Sequence, residues 1–422
     1  MEKHLWILVA LAMATTVAVG TLVRGPAPVT IERSERPRIT SPQVSEAELG
    51  ELVSGNTSFA LNLYGSLRQG EGNLLFSPYS ISQCLAMVYA GARGETAQEI
   101  ASALGFGLPE ERLHPAFDAL DLSLLERANA SGNELLVANG IWAQRGFPVK
   151  RKYLNLLAAY YGAGLMRVDF RRDPEGARRR INRWVEEETK GRLEELFARG
   201  SINPQTLLVL ANAVYFKGLW EEEFEPAGRM PFYLLNGSTV EVEMIRKEGR
   251  FGYTAGEGYK AVEIPYKGGE LSFVLILPEK GTFQTYEERF TSQILQGVLE
   301  GLRELSLELT VPKFTFSYGF DLRKSLRELG IEKAFSGGAD FSGMAEGELF
   351  IAQAVHKAFI RVDERGTEAA AATGMTVGRG LVKEVKVDRP FLFLIRDRGP
   401  GRSSSWAGSS TRVEVRLTYN RC

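Results

Sequence analysis

The sequence predicts one large α+β domain. Segments with helical periodicity are concentrated in its first half and strand-like segments in its second half, whereas βαβ folds alternate the two. Neither an internal repeat nor a Pro/Gly-rich linker interrupts the chain after residue 50. The chain has 422 residues and 44% of them are hydrophobic, which is enough for a large buried core.

The predicted helices carry recognisable start signals. Residues 49–69 have helical periodicity, and Ser77 with Pro78 can begin a second helix as N-cap and first-turn residue. Thr96 and Glu99 have the spacing of a capping box for a third helix. Two later segments are also strongly helical: "EGARRRINRWVEEETKGRLEELF" and "DLRKSLRELG".

The predicted strands are rich in β-branched and aromatic residues. They read "NELLVANGIWAQRG", "TLLVLANAVYFKGLWEEEF", "TVEVEMIRKEGRFGYT", "YKAVEIPYKGGELSFVLILPE" and "LSLELTVPKFTFSYGFDL".

The N-terminus predicts export. Residues 1–23 combine a weakly basic start, an apolar run and small residues near Ala18, as in a signal peptide, although the run is also long enough for a signal anchor. Either way the body of the protein is expected to be secreted or extracytoplasmic. Residues 24–48, rich in Pro, Arg, Glu and Ser, predict a flexible lead-in.

Composition argues against several function classes. The net charge of −1 is unlike that of a general nucleic-acid binder. The Arg-rich residues 167–184 indicate a solvated helix face, with a polyanion-binding patch as the alternative. With Cys84 and Cys422 as the two cysteines and His4, His114 and His356 as the three histidines, a metal site is not expected. The histidines lie in no nucleophile motif, so we expect neither an enzyme nor a cofactor.

Seven segments, in order along the chain, resemble the serpin family. They are "NLLFSPYSISQCLAMVYAGARGETAQEI", "INRWVEEETKGRLEELF", "LANAVYFKGLW", "AVEIPYKGGELSFVLILP", "LTVPKFTFSYGFDLRKSLRELGIEKAFSGGADFSGM", "AVHKAFIRVDERGTEAAAAT" and "DRPFLFLIRD". The resemblance implies a serpin domain over residues 49–401, with three β-sheets, eight to nine helices and an exposed reactive-centre loop at about 364–385. It also implies a monomeric suicide-substrate inhibitor, whose loop is cleaved by a serine protease and then inserts into the central sheet.

The loop sequence is suited to insertion. By resemblance the hinge comprises Glu364, Gly366, Thr367, Ala369, Ala370, Ala371, Ala372 and Thr373. If Thr367 faces inward in an inserted strand, alternation keeps the small or uncharged residues inside and places Glu368 outside.

The resemblance also implies residues where the sheet must open. Glu364 and Lys313 match a family ion pair, and Trp220 matches an aromatic residue at the same opening. The residues that match a polar cluster under the middle of the sheet are Ser77, Ser80, Asn212 and His356.

The predicted scissile bond is Arg379–Gly380. Family spacing counted forward from Glu364 reaches Gly380, whereas spacing counted back from Pro390 reaches Arg379. Trypsin-like proteases have an acidic specificity pocket that accepts Arg, which favours Arg379. Cleavage after Met375 or Val377 would instead suit chymotrypsin- or elastase-like targets.

The C-terminal tail, residues 402–422, departs from the family pattern. Serpins end with an apolar strand resembling Ile-Leu-Phe-Met-Gly-Arg, whereas "SSSWAGSSTRVEVRLTYNRC" is polar. A one-base frameshift before Ser403 would explain the difference, and "VEVRLTYN" alternates well enough to pair as a strand. A non-inhibitory serpin-fold binding protein or chaperone, and an inactive product lacking the last core strand, therefore stand as alternatives to an inhibitor.

Overall fold

The computed structural model describes residues 30–70, 72–366 and 383–398, and the backbone of 411–417. Its α-helices are α1 (Glu46–Leu67), α2 (Pro78–Tyr89), α3 (Gly94–Leu104), α4 (Glu110–Ala128), α5 (Arg151–Tyr161), α6 (Pro174–Glu188), α7 (Phe283–Glu288), α8 (Ser292–Gly301) and α9 (Leu322–Glu328). Within these ranges no helix is long and apolar enough to cross a membrane.

Its strands are β1 (Thr30–Glu32), β2 (Glu134–Gln144), β3 (Leu165–Val168), β4 (Leu208–Lys217), β5 (Glu225–Tyr233), β6 (Thr239–Gly256), β7 (Tyr259–Pro265), β8 (Leu271–Pro278), β9 (Arg303–Pro312), β10 (Phe314–Asp321), β11 (Ile351–Val362), β12 (Lys383–Lys386), β13 (Phe391–Asp397) and β14 (Thr411–Leu417). The α+β class predicted from the sequence is confirmed.

The first sheet has six strands in the order β1-β3-β2-β4-β11-β10. Its strand β4 is almost entirely buried because both faces of the sheet are covered. Leu208 and Leu210 join the core formed with helices α1 to α5, whereas Val209 and Ala211 pack in the smaller core that includes Ile181 of α6. This double burial explains the continuous apolar run that the sequence displays.

The remaining strands form a second hydrogen-bonded network, in the order β12-β9-β6-β7-β8-β13-β14, with β5 paired to β6. The long strand β6 connects two sections of this network. Its first part pairs with β5 and β9, and its last residues, Gly252–Gly256, pair with β7. The three sheets that the resemblance implies therefore correspond to the six-stranded sheet and to two sections joined through β6.

Two local expectations need correction. Thr96 and Glu99 do not cap a helix, because α3 begins earlier, at Gly94, and its N-cap residue is Arg93. The Thr96 hydroxyl instead accepts a hydrogen bond from Asp340 N–H, and the Glu99 carboxylate accepts from two backbone N–H groups near Lys333. The pattern is thus used for tertiary contacts. By contrast, Ser77 does cap α2 at its start.

The second correction concerns the predicted flexible lead-in. From Thr30 onward this segment lies on the domain: β1 pairs antiparallel with β3, and Ile39 N–H donates to Ala159 O of α5 at 2.8 Å. Residues 1–29 lie outside the described ranges. At the other end, the backbone of β14 pairs antiparallel with β13, so a strand does occupy this edge.

Candidate sheet-opening site

Two interior strands of the six-stranded sheet, β4 and β11, form a parallel pair. Their ladder begins at Leu208 and Ile351 and ends at Tyr215 and Phe359. Both strands continue past this point, β4 to Lys217 and β11 to Val362. The two strands are therefore unpaired with each other over their last residues, at the edge where the chain leaves the sheet.

A tight turn follows β11 at this edge. Asp363 N–H donates to Gly366 O at 2.9 Å, and Gly366 N–H donates to Asp363 O at 3.3 Å. The carboxylate of Asp363 also accepts from Arg365 N–H at 3.1 Å, which stabilises the turn. Gly366 forms an antiparallel bridge with Asp363 and another with Leu219, just after β4. At Gly366 the chain has therefore reversed and runs antiparallel to the end of β11.

Gly366 occupies a position that only glycine fits. Its φ of +145° lies in a region that residues with side chains rarely adopt. A Cβ atom would lie 2.0 Å from Gly218 O and 2.7 Å from Leu219 Cα. The reversal thus depends on close approach of two backbones.

Trp220, which lies three residues after the end of β4, anchors this turn. Its indole Nε1–H donates to Asp363 O at 3.0 Å, and its backbone N–H donates to Arg365 O at 2.9 Å. The ring is stacked on Tyr266 with centroids 4.9 Å apart, and the residue is 2% exposed. Phe224 N–H adds a bond to Glu364 O at 2.6 Å.

The side chains of Lys313 and Glu364 meet beside the turn. Lys313 Nζ donates to Glu364 Oε1 at 2.8 Å, and both side chains are partly exposed. Burial alone would raise the pKa of Glu364. The hydrogen bond from Lys313, a bond to its own backbone and the charges of Lys313 and Arg365 outweigh burial and lower this pKa below its ordinary value.

A cavity of about 450 Å³ opens next to this ion pair. Its walls include Glu243, Lys313, Phe314, Val362 and Asp363. The end of β11 therefore borders open space.

A buried polar cluster lies under the middle of the same two strands. Asn212 of β4 and His356 of β11 are in register, and the Asn212 side-chain oxygen accepts a short hydrogen bond from His356 Nδ1. Asn212 Nδ2 donates to Ser80 Oγ at 2.6 Å, and Ser77 N–H donates to His356 Nε2 at 3.2 Å. The four polar residues predicted to cluster are thus brought together beneath the sheet.

These bonds fix one form of His356. Nε2 accepts a backbone N–H while Nδ1 donates, which requires the neutral ring. Burial lowers the pKa of His356 from 6.5 to about 3, in agreement with a neutral ring at physiological pH. Both ring nitrogens are engaged and the residue is fully buried, so the ring serves structure rather than acid–base chemistry.

The cluster extends to residues that sequence reasoning missed. Asn139 of β2 accepts from both Asn212 Nδ2 and Ser80 Oγ, and Asn139 Nδ2 donates to Gln83 Oε1 at 2.7 Å. Asn139 is in register with Asn212. A polar residue within the apolar run "LLVANGIW" was the available signal.

Thr367, Glu368, Ala369–Ala372, Thr373 and the predicted scissile bond Arg379–Gly380 lie outside the described residues.

Comparison with known proteins accounts for this arrangement. A family model described as "Serpin (serine protease inhibitor)" matches residues 54–404. The chain belongs to the serpin family. Leukocyte elastase inhibitor A of Mus musculus is 38% identical over 82% of this chain and 95% of its own length. A serpin-like protein of Thermococcus kodakarensis is 37% identical over 85% of each chain.

Solved serpin structures share the fold. The native-state crystal structure of tengpin, a thermophilic serpin, superposes with a TM-score of 0.82 at 27% identity, covering 93% of this chain and 100% of tengpin. The serpin fold is therefore shown both by the family match and by the structure. Homologues of this serpin include protease inhibitors, as the name of the mouse relative states.

Proposed function

We propose that this serpin is a secreted suicide-substrate inhibitor of trypsin-like serine proteases. The protease serine attacks the carbonyl carbon of Arg379, the amide bond to Gly380 breaks, and the freed Gly380 amine takes a proton as it leaves. Arg379 is then held as an ester on the protease. The loop inserts between β4 and β11 before water can release the ester.

The observation that carries this proposal is the direction of the chain at Gly366. Turning back at Asp363, the chain runs antiparallel to the end of β11 and lies beside the segment that follows β4. A strand continued from this point would enter between the unpaired ends of the two strands. One parallel ladder would be replaced by two antiparallel ladders.

The energetics favour insertion. A new strand of about ten residues adds on the order of ten hydrogen bonds, and each contributes about 0.5–1.5 kcal/mol net. The gain is on the order of 10 kcal/mol, comparable with the whole stability of an ordinary domain. Because this gain becomes available when the loop is cut, the uncut state can be a metastable one.

The buried polar cluster of Ser77, Ser80, Asn139, Asn212 and His356, here called the latch, opposes this movement. Insertion separates β4 from β11 by one further strand spacing, about 4.8 Å. The direct bond between Asn212 and His356 cannot span the widened gap, so it must break. Buried groups that lose partners are costly, and the cluster therefore contributes to the barrier that keeps the uncut sheet closed.

The direct test mixes the purified protein with trypsin. We expect an SDS-stable complex, with a released peptide that begins at Gly380. Arg379→Leu should abolish the complex with trypsin. Complete cleavage without a complex would refute inhibition and favour the non-inhibitory or inactive alternatives.

A matched pair of substitutions tests insertion itself. Thr367→Arg places a charge on the face that insertion would bury and should turn the inhibitor into a substrate. Glu368→Arg places the same side chain on the opposite face and should leave complex formation largely intact. If the two variants behave alike, the predicted inward orientation of Thr367 and outward orientation of Glu368 in the inserted strand are wrong.

We propose export on the strength of residues 1–23. A fusion of residues 1–48 to a reporter enzyme should deliver the reporter outside the cytoplasm. Retention of the reporter inside the cell would refute export, and a reporter that stays bound to the membrane would indicate an uncleaved anchor.

A further inference from the structure

Residues 30–43, here called the strap, cross three elements at one edge of the domain. Its strand β1 pairs with β3, and Glu32 forms an ion pair with Arg167 at 2.5 Å. Ser34 Oγ then donates to Asn155 of α5 at 2.6 Å. The strap therefore supplies the outermost strand of the six-stranded sheet, β1, and connects it to α5.

Arg38 is the main polar anchor of the strap. Its guanidinium donates to Asp118 Oδ1 at 2.8 Å and to Asp121 Oδ2 at 2.6 Å, both on α4. The side chain of Asp118 is 0% exposed and that of Asp121 is 10% exposed. Two buried carboxylates a turn apart repel each other, so the cation supplied by the strap stabilises both.

Burial raises the pKa of Asp118 to about 6, although the hydrogen bond and charge of Arg38 act in the opposite direction. Without Arg38 this carboxylate would be still harder to keep ionised. The ionised form of the Asp118 and Asp121 pair therefore depends on Arg38 of the strap.

A chain of hydrogen bonds connects this anchor to the sheet-opening cluster. Tyr79 OH donates to Asp121 Oδ1 at 3.1 Å and accepts from Gln83 Nε2 at 3.4 Å. Gln83 in turn accepts from Asn139, which bonds to Asn212. Each donor meets an acceptor along the whole path. The strap is thus linked through α4 and α2 to the latch beneath β4 and β11.

The pairing of the strands determines which parts of the sheet move when it opens. β4 is laddered to β2, β2 to β3, and β3 to β1, so these four strands must move together when β4 leaves β11. The latch holds this half of the sheet at its inner edge and the strap holds it at its outer edge. Movement requires that β1 detach or that the strap drag α4 and α5.

We propose that the strap is a lock on sheet opening, in which Arg38 is the positioning residue. The inference rests on the proposed insertion mechanism and extends it to the N-terminal segment. Releasing Arg38 should favour opening between β4 and β11 without loosening distant parts of the fold.

Hydrogen exchange of the full-length protein tests the lock directly. In Arg38→Gln we expect exchange of the amides in β4 and β11 to speed up by about tenfold or more, equivalent to about 1.4 kcal/mol. Peptides from β8, in the other sheet, should exchange as in the wild type. Arg36→Gln, an exposed change in the same segment, is the matched control and should alter neither region.

A second variant separates the lock from a simple charge penalty. Arg38→Gln combined with Asp118→Asn and Asp121→Asn removes the anchor without leaving buried charges unpaired. It should still show selective acceleration in β4 and β11. Unchanged exchange there, or equal acceleration in β8, would overturn the lock. This readout does not depend on a protease: selective acceleration without a trypsin complex would keep the lock and refute inhibition.

Discussion

Replacing Gly366 by alanine probes the turn from which the loop departs. The substitution adds one methyl group where φ is +145° and where a Cβ would lie 2.0 Å from Gly218 O. Strain at such a backbone position costs about 1–3 kcal/mol, and crowding against packed atoms costs a similar amount. We therefore expect the uncut protein to lose about 2–6 kcal/mol of stability.

The same substitution should be harmless once the loop has inserted. An inserted strand has extended backbone angles that alanine adopts without strain. Gly366→Ala should therefore lower the unfolding midpoint of the uncut form by several degrees, while leaving that of the cleaved form nearly unchanged. Differential scanning calorimetry of both forms measures the two effects separately.

Gly297→Ala supplies the matched control. Gly297 lies in α8, and among the described residues no heavy atom outside the adjoining helix backbone lies within 4 Å of a Cβ built on it. Alanine there should raise stability by up to about 1 kcal/mol, because it favours helix more than glycine does. If the two variants change the uncut midpoint alike, or if Gly366→Ala destabilises the cleaved form as much as the uncut form, the reasoning fails.

Three further outcomes follow from the site. Between pH 6.5 and about 3 the unfolded chain protonates His356 whereas the folded protein does not, so the wild type loses stability as the pH falls. His356→Asn should reduce this loss, which urea unfolding at several pH values measures. Glu364→Gln should lower the stability of the uncut form by no more than about 1 kcal/mol, because its bond with Lys313 is partly exposed; thermal unfolding checks this beside the control Glu304→Gln, which breaks a more exposed ion pair with Arg250. Asn139→Ala should lower the free energy of unfolding by about 1–3 kcal/mol for each buried polar group that it leaves without a hydrogen bond, and denaturant unfolding measures this loss.

Much of the fold was accessible from the sequence because local patterns and burial agree. The long apolar run of β4 predicts a strand, and Ser77 with Pro78 predicts the start of α2. The residues of the opening site came from the family resemblance instead. Periodicity alone would not have placed Asn212 opposite His356, since they are 144 positions apart.

The errors have a common physical origin in long-range contacts. The lead-in has the polar, proline-containing composition of a flexible segment, yet Arg38 is ordered by two carboxylates on α4. Thr96 and Glu99 have the spacing of a helix cap, yet their side chains bond to backbone groups far away in sequence. Neither outcome can be read from neighbouring residues.

The most direct test of the account compares thermal unfolding before and after the loop is cut at Arg379–Gly380. Insertion of the freed strand between β4 and β11 predicts a rise of the unfolding midpoint on the order of 10 °C, which corresponds to a gain of about 10 kcal/mol. A midpoint that stays the same or falls after the cut would contradict insertion, and with it the proposed mechanism of inhibition.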